Sequence, residues 1–378
     1  MRVLLVSGIW PPQVGGPASH GPEFGRFLVE GGHDVRAATT ADSAGPEGAG
    51  FPVRATRSDR PRAIRQPAAA LNVLASGRRA DVIYATGMYG RSALASVALR
   101  VPLVLKLVSD PAYERARRTG LFDGTLEEFQ RATPAGATGT LKRLRNLVLK
   151  RARSVVIPSE YLARIARGWG LPAERVRVVP NPAPAVDATL PRDELRRRLG
   201  LTSPTFVFAG RLTPQKNLPL AIEAISTLES GSLVLVGDGP SRDELAALIA
   251  REGLTGRVSL EGALPRERAI EWLRAADAAI LPSEWENFPH AAVEALAAGT
   301  PVIATAVGGV PEIVEPGVSG ILVPPGDRAA LAEAIGSLSE NGARLAALRE
   351  GALAAGARFE RQAVYGAIAA ELELAAGR

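Results

Sequence analysis

The 378-residue chain is predicted to form two α/β domains, each built on a doubly wound parallel sheet. Its length exceeds what one ordinary core accommodates, and two domains of roughly 150 to 200 residues are the expected solution. Short apolar runs alternate with glycine turns and helical segments along the chain, as in parallel sheets covered by helices. A proline-rich segment, residues 177–191, separates two such alternations and is predicted to be a linker.

The first alternation starts with an apolar strand and places apolar residues at helical spacing in three segments. Its predicted strands lie in RVLLVSG, HDVRAAT, DVIYATG, VPLVLKLVSD and SVVIPS, and its predicted helices at 18–30, 92–99 and 141–151. The second alternation has the same character. Its predicted strands lie in TFVFAGRL, LVLVGDG, RVSLEG, AAILPS and GILVPPGD, and its predicted helices at 219–228, 241–251, 266–275 and 328–338.

These patterns predict a first domain at 1–185, a second at 186–357 and a final helix, 358–378, that packs back on the first domain. We expect the two domains to face each other across a cleft. In doubly wound sheets ligands bind at the carboxyl ends of the strands, so candidate functional residues are sought in the loops that follow strands.

Composition excludes several classes of protein. The chain has no cysteine, so it forms neither a disulfide framework nor a thiolate metal site. No run approaches the roughly 20 apolar residues that span a bilayer, and the first strand is too short for a signal peptide. We therefore expect a cytoplasmic protein.

Charge divides the chain in two. Residues 1–180 hold 27 Lys and Arg against 14 Asp and Glu, whereas residues 181–378 hold 18 against 25. A basic half favours anionic lipid, phosphorylated acceptors or nucleic acid, although an arginine-rich genome would give the same bias. With only 5% aromatic residues the chain lacks stacking platforms for single-stranded nucleic acid, which is not expected as a partner. The basic helix in LKRLRNLVLKRAR suits either attachment to the inner face of a membrane or an ordinary solvated face.

The densest concentration of special residues is LPSEWENFPHAAVEALAAGTPVIATAVGGVPEIVE, residues 281–315. Glu286 and Glu294 would lie roughly 80° and 12 Å apart on one helix, too far for a carboxylate pair. Pro289 favours a helix start, which places Glu286 in the preceding loop and Glu294 inside the helix. The free N–H groups at that helix start favour a phosphate. Capping or surface roles are the alternative for both glutamates.

Two further loops carry groups suited to phosphate. Arg211 and Lys216 follow the strand in TFVFAGRL and precede a helix, an arrangement that suits a diphosphate unless both are solvated loop charges. Gly15 and Gly16 follow the first strand and permit close approach of backbone to a ligand, as a plain turn would also explain.

No metal site is predicted. His20, His33 and His290 are too scattered for a ligand set, and no Asp-any-Asp pair is present. His290 begins the helix that holds Glu294, so capping and ligand contact are both open for it. The GDGP segment at 237–240 supplies only half of a dinucleotide fingerprint, which argues against a nicotinamide cofactor.

Together these motifs resemble the retaining glycosyltransferases of family four, the glycosyl transferases group 1, which have two Rossmann-like domains in the GT-B arrangement. The resemblance runs from RVLLVSGIWPPQVGGP through GHDV, FAGRLTPQKN, LVGDGP and EWENFPHAAVEALAAGTPVIATAVGGVPEIV to GILVPPGD. It implies a nucleoside-diphosphate sugar as donor, an acceptor bound on the first domain, retention of anomeric configuration, and neither a metal nor another cofactor.

The resemblance also assigns roles to residues. It implies that Glu294 holds the ribose, that Glu286 faces the donor sugar, and that Arg211 and Lys216 neutralise the leaving diphosphate. Gly15 and Gly16 are expected to line the diphosphate. The segment Asn287, Phe288 and Pro289 is expected to contribute to donor binding.

One departure from the family concerns VPLVLKLVSDPAYE. Many relatives carry a histidine at the end of this strand, near the reacting centre, and this chain has none. It resembles instead a branch with lysine and aspartate there. Asp110 is therefore a candidate catalytic residue, and Lys106, Glu114 and His290 are candidate acceptor or sugar contacts.

The resemblance predicts transfer of a hexose-type sugar. The nucleotide base, the sugar and the acceptor stay open, and a lipid-linked saccharide, a polar lipid and a soluble metabolite are all compatible with the sequence. Two alternatives remain: a sugar-nucleotide 2-epimerase of the same architecture, and a noncatalytic protein that binds anionic ligands.

Overall fold

The computed structural model describes residues 1–13, 16–42, 49–186 and 189–377. Two compact units are present. Unit 1 comprises Met1–Val179 and Tyr365–Arg378, and unit 2 comprises Pro180–Val364. The first boundary falls at Val179 rather than at 185, because the start of the predicted linker forms a strand at the edge of the first sheet.

In the described part of unit 1, the strands form one parallel sheet in the order β3-β2-β1-β4-β5-β6-β7. The strands are β1 (Arg2–Val6), β2 (Asp34–Ala41), β3 (Val53–Arg57), β4 (Val82–Ala85), β5 (Leu103–Lys106), β6 (Ser154–Ile157) and β7 (Val176–Val178). Strands β1 to β3 are added toward one edge of the sheet and β4 to β7 toward the other, so the strand order reverses between β1 and β4. Doubly wound sheets bind ligands at such a reversal.

The helices of unit 1 cover both faces of this sheet. They are α1 (Gly16–Glu30), α2 (Arg62–Gly77), α3 (Tyr89–Leu99), α4 (Pro111–Arg118), α5 (Leu126–Arg131), α6 (Gly136–Arg151) and α7 (Glu160–Gly168). Six elements of unit 1 have no counterpart in the sequence-based prediction: β3, β7, α2, α4, α5 and α7.

Unit 2 holds a second parallel sheet, and its described strands run in the order β10-β9-β8-β11-β12-β13. They are β8 (Thr205–Ala209), β9 (Ser232–Val236), β10 (Val258–Gly262), β11 (Ala278–Leu281), β12 (Val302–Thr305) and β13 (Gly320–Val323). The reversal lies between β8 and β11. Five of these strands correspond to the predicted ones, and the sixth, β12, lies in the 281–315 segment.

Helices of unit 2 alternate with its strands, as the α/β class requires. They are α8 (Arg192–Arg198), α9 (Leu218–Ser226), α10 (Arg242–Arg251), α11 (Arg266–Ala275), α12 (His290–Ala297), α13 (Val310–Ile313), α14 (Arg328–Glu340) and α15 (Gly342–Gly356). The predicted fold class is thereby confirmed: two doubly wound parallel-sheet units.

Central strands are buried at every position. β4, β5 and β6 in unit 1 and β11 and β12 in unit 2 show no exposed residue. Strands covered by helices on both faces require such continuous burial, which explains why their sequences are almost uninterrupted apolar runs.

The last helix, α16 (Arg361–Ala376), returns to unit 1 from Tyr365 onward. The Tyr365 ring is fully buried and lies 5.2 Å from the Phe24 ring and 5.6 Å from the His20 ring, measured between centroids. Glu371 accepts hydrogen bonds from Ser154 Oγ and Arg177 Nε, each at 2.9 Å. Aromatic packing and these polar contacts make the end of the chain part of the first unit's core.

No helix in the described ranges is long and apolar enough to cross a membrane.

Candidate functional site

The candidate site of unit 2 lies at the carboxyl edge of its sheet, where β8 and β11 meet at the reversal of strand order. The loop after β8 carries Arg211 and Lys216, and the loop after β11 carries Glu286. The residues that the sequence predicted to act together thus come from the two strands that flank the ligand-binding point of a doubly wound sheet.

An ion pair joins these two loops. Lys216 Nζ bonds to Glu286 Oε1, and Ser283 Oγ donates to the same oxygen at 2.8 Å. The Glu286 side chain is only 7% exposed and that of Lys216 is 20% exposed. Because an unpaired buried carboxylate is unstable, each partner holds the other in place, and the amine keeps further donors for a ligand.

Gln215 links the same two loops through one backbone and one side-chain hydrogen bond. Its carbonyl accepts from the Glu284 N–H at 2.9 Å, and its side-chain Nε2 donates to the Trp285 carbonyl at 2.6 Å. Neither Gln215 nor Ser283 was a candidate from the sequence, since a glutamine and a serine in loops carry no distinctive spacing. The structure shows that they hold the predicted charges in position.

The loop after β12 supports Glu286 from the other side. Gly308 has a φ of +53°, and a Cβ atom at this position would lie 1.7 Å from the Glu286 carbonyl oxygen. Gly309 N–H donates to that oxygen at 3.2 Å. Only a glycine permits this backbone approach, which explains the glycine pair in the 281–315 segment.

The Arg211 loop is held by the loop after β9. Gly237 has a φ of +142°, and a Cβ atom there would lie 1.8 Å from the Gly210 carbonyl oxygen. Leu212 N–H donates to the Asp238 carbonyl at 3.0 Å. Arg211 itself is exposed and has no hydrogen bond or ion pair with any other described residue. Its guanidinium remains available for an anionic ligand.

Helix α12 begins as the sequence predicts. Pro289 is the residue that precedes the first helical residue, His290, and Glu294 lies one turn further along. Glu286 is in the preceding loop, so the prediction that the two glutamates do not form a carboxylate pair on one helix is confirmed. The His290 ring lies 3.4 Å from Asn181 Nδ2 and is exposed.

Glu294 has a partner that sequence reasoning missed. Arg266, the first residue of α11, donates to Glu294 Oε1 from Nε at 3.1 Å and from Nη2 at 2.8 Å. These bonds fix the carboxylate orientation on α12. Any ligand that uses Glu294 must bind next to Arg266 or share this carboxylate with it.

The segment before α12 is buried. The rings of Phe288 and Phe359 make an edge contact with centroids 5.9 Å apart, so the Phe288 side chain packs within the core of unit 2. Asn287 and Pro289 are also buried. The expected donor contacts of these three residues stay predictions, and the structure explains Phe288 through packing.

In unit 1, Gly15 lies outside the described residues, and Gly16 is the first residue of α1. Asp110 is fully buried and precedes α4, where its Oδ1 accepts from the Ala112 N–H at 2.8 Å. Its Oδ2 accepts from Gln130 Nε2 at 2.9 Å and from Arg145 Nη1 at 2.5 Å.

Trp169 contacts both side-chain partners of Asp110 and holds them in place. The Arg145 guanidinium stacks 3.8 Å from the Trp169 ring centroid, and Trp169 Nε1 donates to Gln130 Oε1 at 2.7 Å. This network gives Asp110 a complete structural explanation as a cap and a buried ion-pair partner. The catalytic role suggested by the family resemblance stays untested, and the side chain has no exposed surface through which to act.

Lys106 is the last residue of β5 and is 3% exposed, yet its Nζ has no hydrogen-bond partner among the described residues. On the neighbouring strand, Thr86 Oγ1 directly after β4 is also buried and unpartnered within the described chain. Buried polar groups are normally satisfied, so two unsatisfied ones on adjacent strands mark a ligand-binding candidate. Burial lowers the pKa of Lys106 from 10.5 to about 7.

Glu114 lies in the first turn of α4 and is exposed. The histidines are dispersed: His20 bonds to the Tyr84 hydroxyl at 2.9 Å inside unit 1, and His33 lies near the amino terminus. Among the described residues no group of three His, Cys, Asp or Glu side chains is placed to hold a metal ion.

Comparison with known protein families assigns both units. The model for glycosyl transferases group 1 matches residues 191–354, which contain the ion-paired loops and α12. The model for the glycosyl transferase 4-like domain matches residues 15–182. The chain belongs to the group 1 glycosyltransferases.

Individual relatives agree with this family. The chain is 39% identical over 210 residues to a D-inositol 3-phosphate glycosyltransferase of Xylanimonas cellulosilytica, covering 52% of this chain and 50% of the relative. It is 33% identical over 215 residues to a 2-deoxystreptamine glucosyltransferase of Streptomyces kanamyceticus, covering 54% and 56%. The chain spans about half the length of these curated relatives.

A solved structure extends the likeness to the whole chain. HepE of Anabaena in complex with UDP superposes with a TM-score of 0.79 at 25% identity, covering 99% of this chain and 100% of HepE. The chain therefore has the GT-B fold, as the sequence resemblance implies.

Replacing Gly308 with alanine is predicted to displace the Glu286 loop. Gly308→Ala brings a Cβ atom onto the Glu286 carbonyl, and we expect a loss of about 2 to 4 kcal/mol in the free energy of unfolding. Gly317→Ala is the matched control, because Gly317 has a similar φ of +77° but no atom near its absent Cβ. Denaturant unfolding of both variants measures the difference. Equal losses would show that backbone strain alone acts at Gly308.

Removing the Lys106 amine is predicted to stabilise the protein in a pH-dependent manner. Between about pH 7 and 10.5 the unfolded chain binds a proton that the folded chain lacks, so wild-type stability rises with pH across this range. Lys106→Met should therefore be more stable than wild type by about 1 to 3 kcal/mol at pH 6 to 7, with the gain vanishing near pH 11. Urea unfolding as a function of pH, with the exposed Lys150→Met as control, tests this. A pH-independent difference would contradict a neutral buried amine.

Proposed function

We propose that this chain transfers a hexose-type sugar from a nucleoside-diphosphate sugar to an acceptor, with retention of anomeric configuration and without a metal ion. The observation that carries the proposal is the pairing of Lys216 with Glu286 at the strand reversal of unit 2. Arg211 lies in the same loop as Lys216 and has no side-chain partner among the described residues. A cation paired with a buried carboxylate, together with a second cation in the same loop, suits a diphosphate and the hydroxyl groups of a sugar.

A uridine nucleotide is the first donor to test, because the related HepE structure holds UDP. In our proposal Arg211 binds the diphosphate as a planar fork and Lys216 as a point charge, while both neutralise the charge that develops as the sugar bond breaks. These side-chain cations do the work that a divalent ion performs in metal-dependent transferases.

Glu286 accepts hydrogen bonds from the donor sugar, and Glu294 holds the ribose. The first role is supported by the loop position of Glu286 and the second by the position of Glu294 one turn into α12. The Arg266 bond to Glu294 then orients the carboxylate for the ribose hydroxyls. Asn287 and Pro289 contribute to the donor site through the loop they share with Glu286, and Gly15 and Gly16 approach the diphosphate.

Retention follows in this proposal from attack by the acceptor on the face that the nucleotide leaves, through an oxocarbenium-like transition state without a protein nucleophile. The diphosphate, held by Arg211 and Lys216, then lies near the acceptor hydroxyl and accepts its proton. No side chain of the site is required to form a covalent intermediate.

The acceptor is proposed to bind unit 1 and to be a polyhydroxylated ring. Relatives are named for D-inositol 3-phosphate and 2-deoxystreptamine as substrates, and both compounds are substituted six-membered carbon rings. Lys106 and Thr86 offer unpartnered polar atoms for hydroxyl or phosphate oxygens. Glu114 and His290 are exposed candidates for further contacts. We place the reaction in the cytoplasm, without another cofactor and without nucleic acid as partner.

Removing either cation is predicted to lower turnover strongly. Arg211→Ala and Lys216→Ala should each reduce kcat by roughly a hundredfold, as loss of one electrostatic partner in the transition state does. Sugar transfer from UDP-hexoses to cyclitol acceptors, followed by product mass and by NMR of the anomeric proton, measures both activity and configuration. Arg251→Ala, an exposed arginine on α10, is the control.

Three further measurements make the test decisive. Thermal unfolding identifies any variant that has lost its fold, which matters for Lys216→Ala because it leaves Glu286 buried without its partner. Incubation with donor alone should give no new epimer. Addition of a chelator should leave the rate unchanged. A folded Arg211→Ala variant with wild-type turnover would contradict the proposed site.

A further inference from the structure

Three neighbouring helices of unit 1 present large apolar side chains to solvent. α2 packs against α3, and α3 packs against α6. Single exposed apolar residues are ordinary, but a group on adjacent helices marks an interaction surface. We call these residues the outer apolar face: Ile64 and Leu71 on α2, Leu94 and Val97 on α3, and Leu144 and Leu147 on α6, all more than half exposed.

Helix α6 buries two basic side chains and exposes two leucines, which is the opposite of an ordinary surface helix. Lys142 and Arg145 are buried, whereas Leu144 is 51% exposed and Leu147 70% exposed. Surface helices normally turn their charges outward and their leucines inward. Here Lys142 Nζ donates to the Ala132 carbonyl at 2.7 Å and also bonds to the Phe129 carbonyl, while Arg145 pairs with Asp110. Because Lys142 and Arg145 occupy the buried face, Leu144 and Leu147 lie on the exposed face of this helix.

The three helices of this face carry charge of a single sign. The sequences of α2, α3 and α6 contain no Asp or Glu. α6 exposes Arg143, Lys150 and Arg151 beside its leucines, and Arg62 is exposed at the start of α2. Exposed Arg78 and Arg100 directly follow α2 and α3. Solvent-exposed surfaces normally carry positive and negative charges side by side, so three adjacent helices without carboxylates are unusual.

We propose that the outer apolar face binds the surface of an anionic lipid bilayer. Leucine, isoleucine and valine side chains enter the boundary between headgroups and acyl chains, and the surrounding arginines and lysines contact the lipid phosphates. A lipid surface fits better than an acidic protein, because large exposed apolar side chains and exposed cations occur together on the same three helices. Since this surface is separate from the residues of the proposed donor site, the proposal goes beyond sugar transfer.

Vesicle binding by the full-length protein tests this proposal. We expect wild type to sediment with vesicles of phosphatidylcholine containing about 30% phosphatidylglycerol, to bind pure phosphatidylcholine at least tenfold more weakly, and to dissociate in 0.5 M salt. Leu144→Gln/Leu147→Gln should reduce the partition coefficient about tenfold or more. Arg143→Gln/Arg151→Gln should reduce binding to anionic vesicles by about tenfold without affecting the neutral ones.

The matched control is Leu353→Gln/Leu374→Gln, which removes two leucines of 61% exposure outside the outer apolar face. It should bind vesicles as wild type does. Failure of wild type to bind anionic vesicles, or an equal loss in the control, would overturn the proposal. Sedimentation without lipid reports the rival occupant: a wild-type dimer that Leu144→Gln/Leu147→Gln converts to monomer would assign this face to a second copy of the chain instead.

Discussion

The Lys216–Glu286 ion pair is the contact on which the candidate site of unit 2 depends. It links the loops after β8 and β11, the two strands between which the sheet order reverses. A carboxylate as buried as Glu286 is stable only while a cation and a hydroxyl bond to it. Ser283, Gln215 and the Gly308–Gly309 backbone therefore serve one purpose, which is to keep this pair assembled at the strand ends. Arg211 stays outside the pair and keeps its charge for a ligand.

The parts of the fold that the sequence predicts well are those with uninterrupted burial. Strands such as β4, β11 and β12 are apolar throughout, and helices such as α11 and α12 start after a proline. β3 escaped prediction because its sequence, VRATR, alternates charged and small residues at the edge of the sheet. α2 contains Pro67 and follows Pro61, which are usual signs of a break. β7 was assigned to the linker because prolines follow it directly.

The candidate site divides in the same way. Spacing and loop position are visible in a sequence, so Arg211, Lys216, Glu286 and Glu294 could be proposed together. Their partners could not, because Ser283, Gln215 and Arg266 become neighbours only through the fold. For Asp110 the family resemblance suggests a catalytic role, which stays a prediction, whereas its buried ion pair with Arg145, 35 residues away, becomes visible only in the fold. The sequence also does not show that the polar side-chain atoms of Lys106 and Thr86 are buried without hydrogen-bond partners among the described residues, because this depends on how β4 and β5 pair.

Unit 1 combines two features that bear on the proposed acceptor. Lys106 and Thr86, whose side chains lack partners among the described residues, suit a polar ring, and the outer apolar face suits a lipid surface. The same Asp110–Arg145 network that packs α4 against α6 also turns Leu144 and Leu147 outward. A core interaction in this unit thus determines what its surface presents.

Hydrogen–deuterium exchange with and without UDP tests whether the ion-paired loops of unit 2 bind the donor diphosphate. Backbone amides that contact the nucleotide exchange more slowly in the complex. We expect UDP-dependent protection in residues 210–217 and 283–294, with little change in the loop at 315–320. Saturating UDP that protects neither segment, or that protects only segments of the sheet's opposite edge, would contradict it.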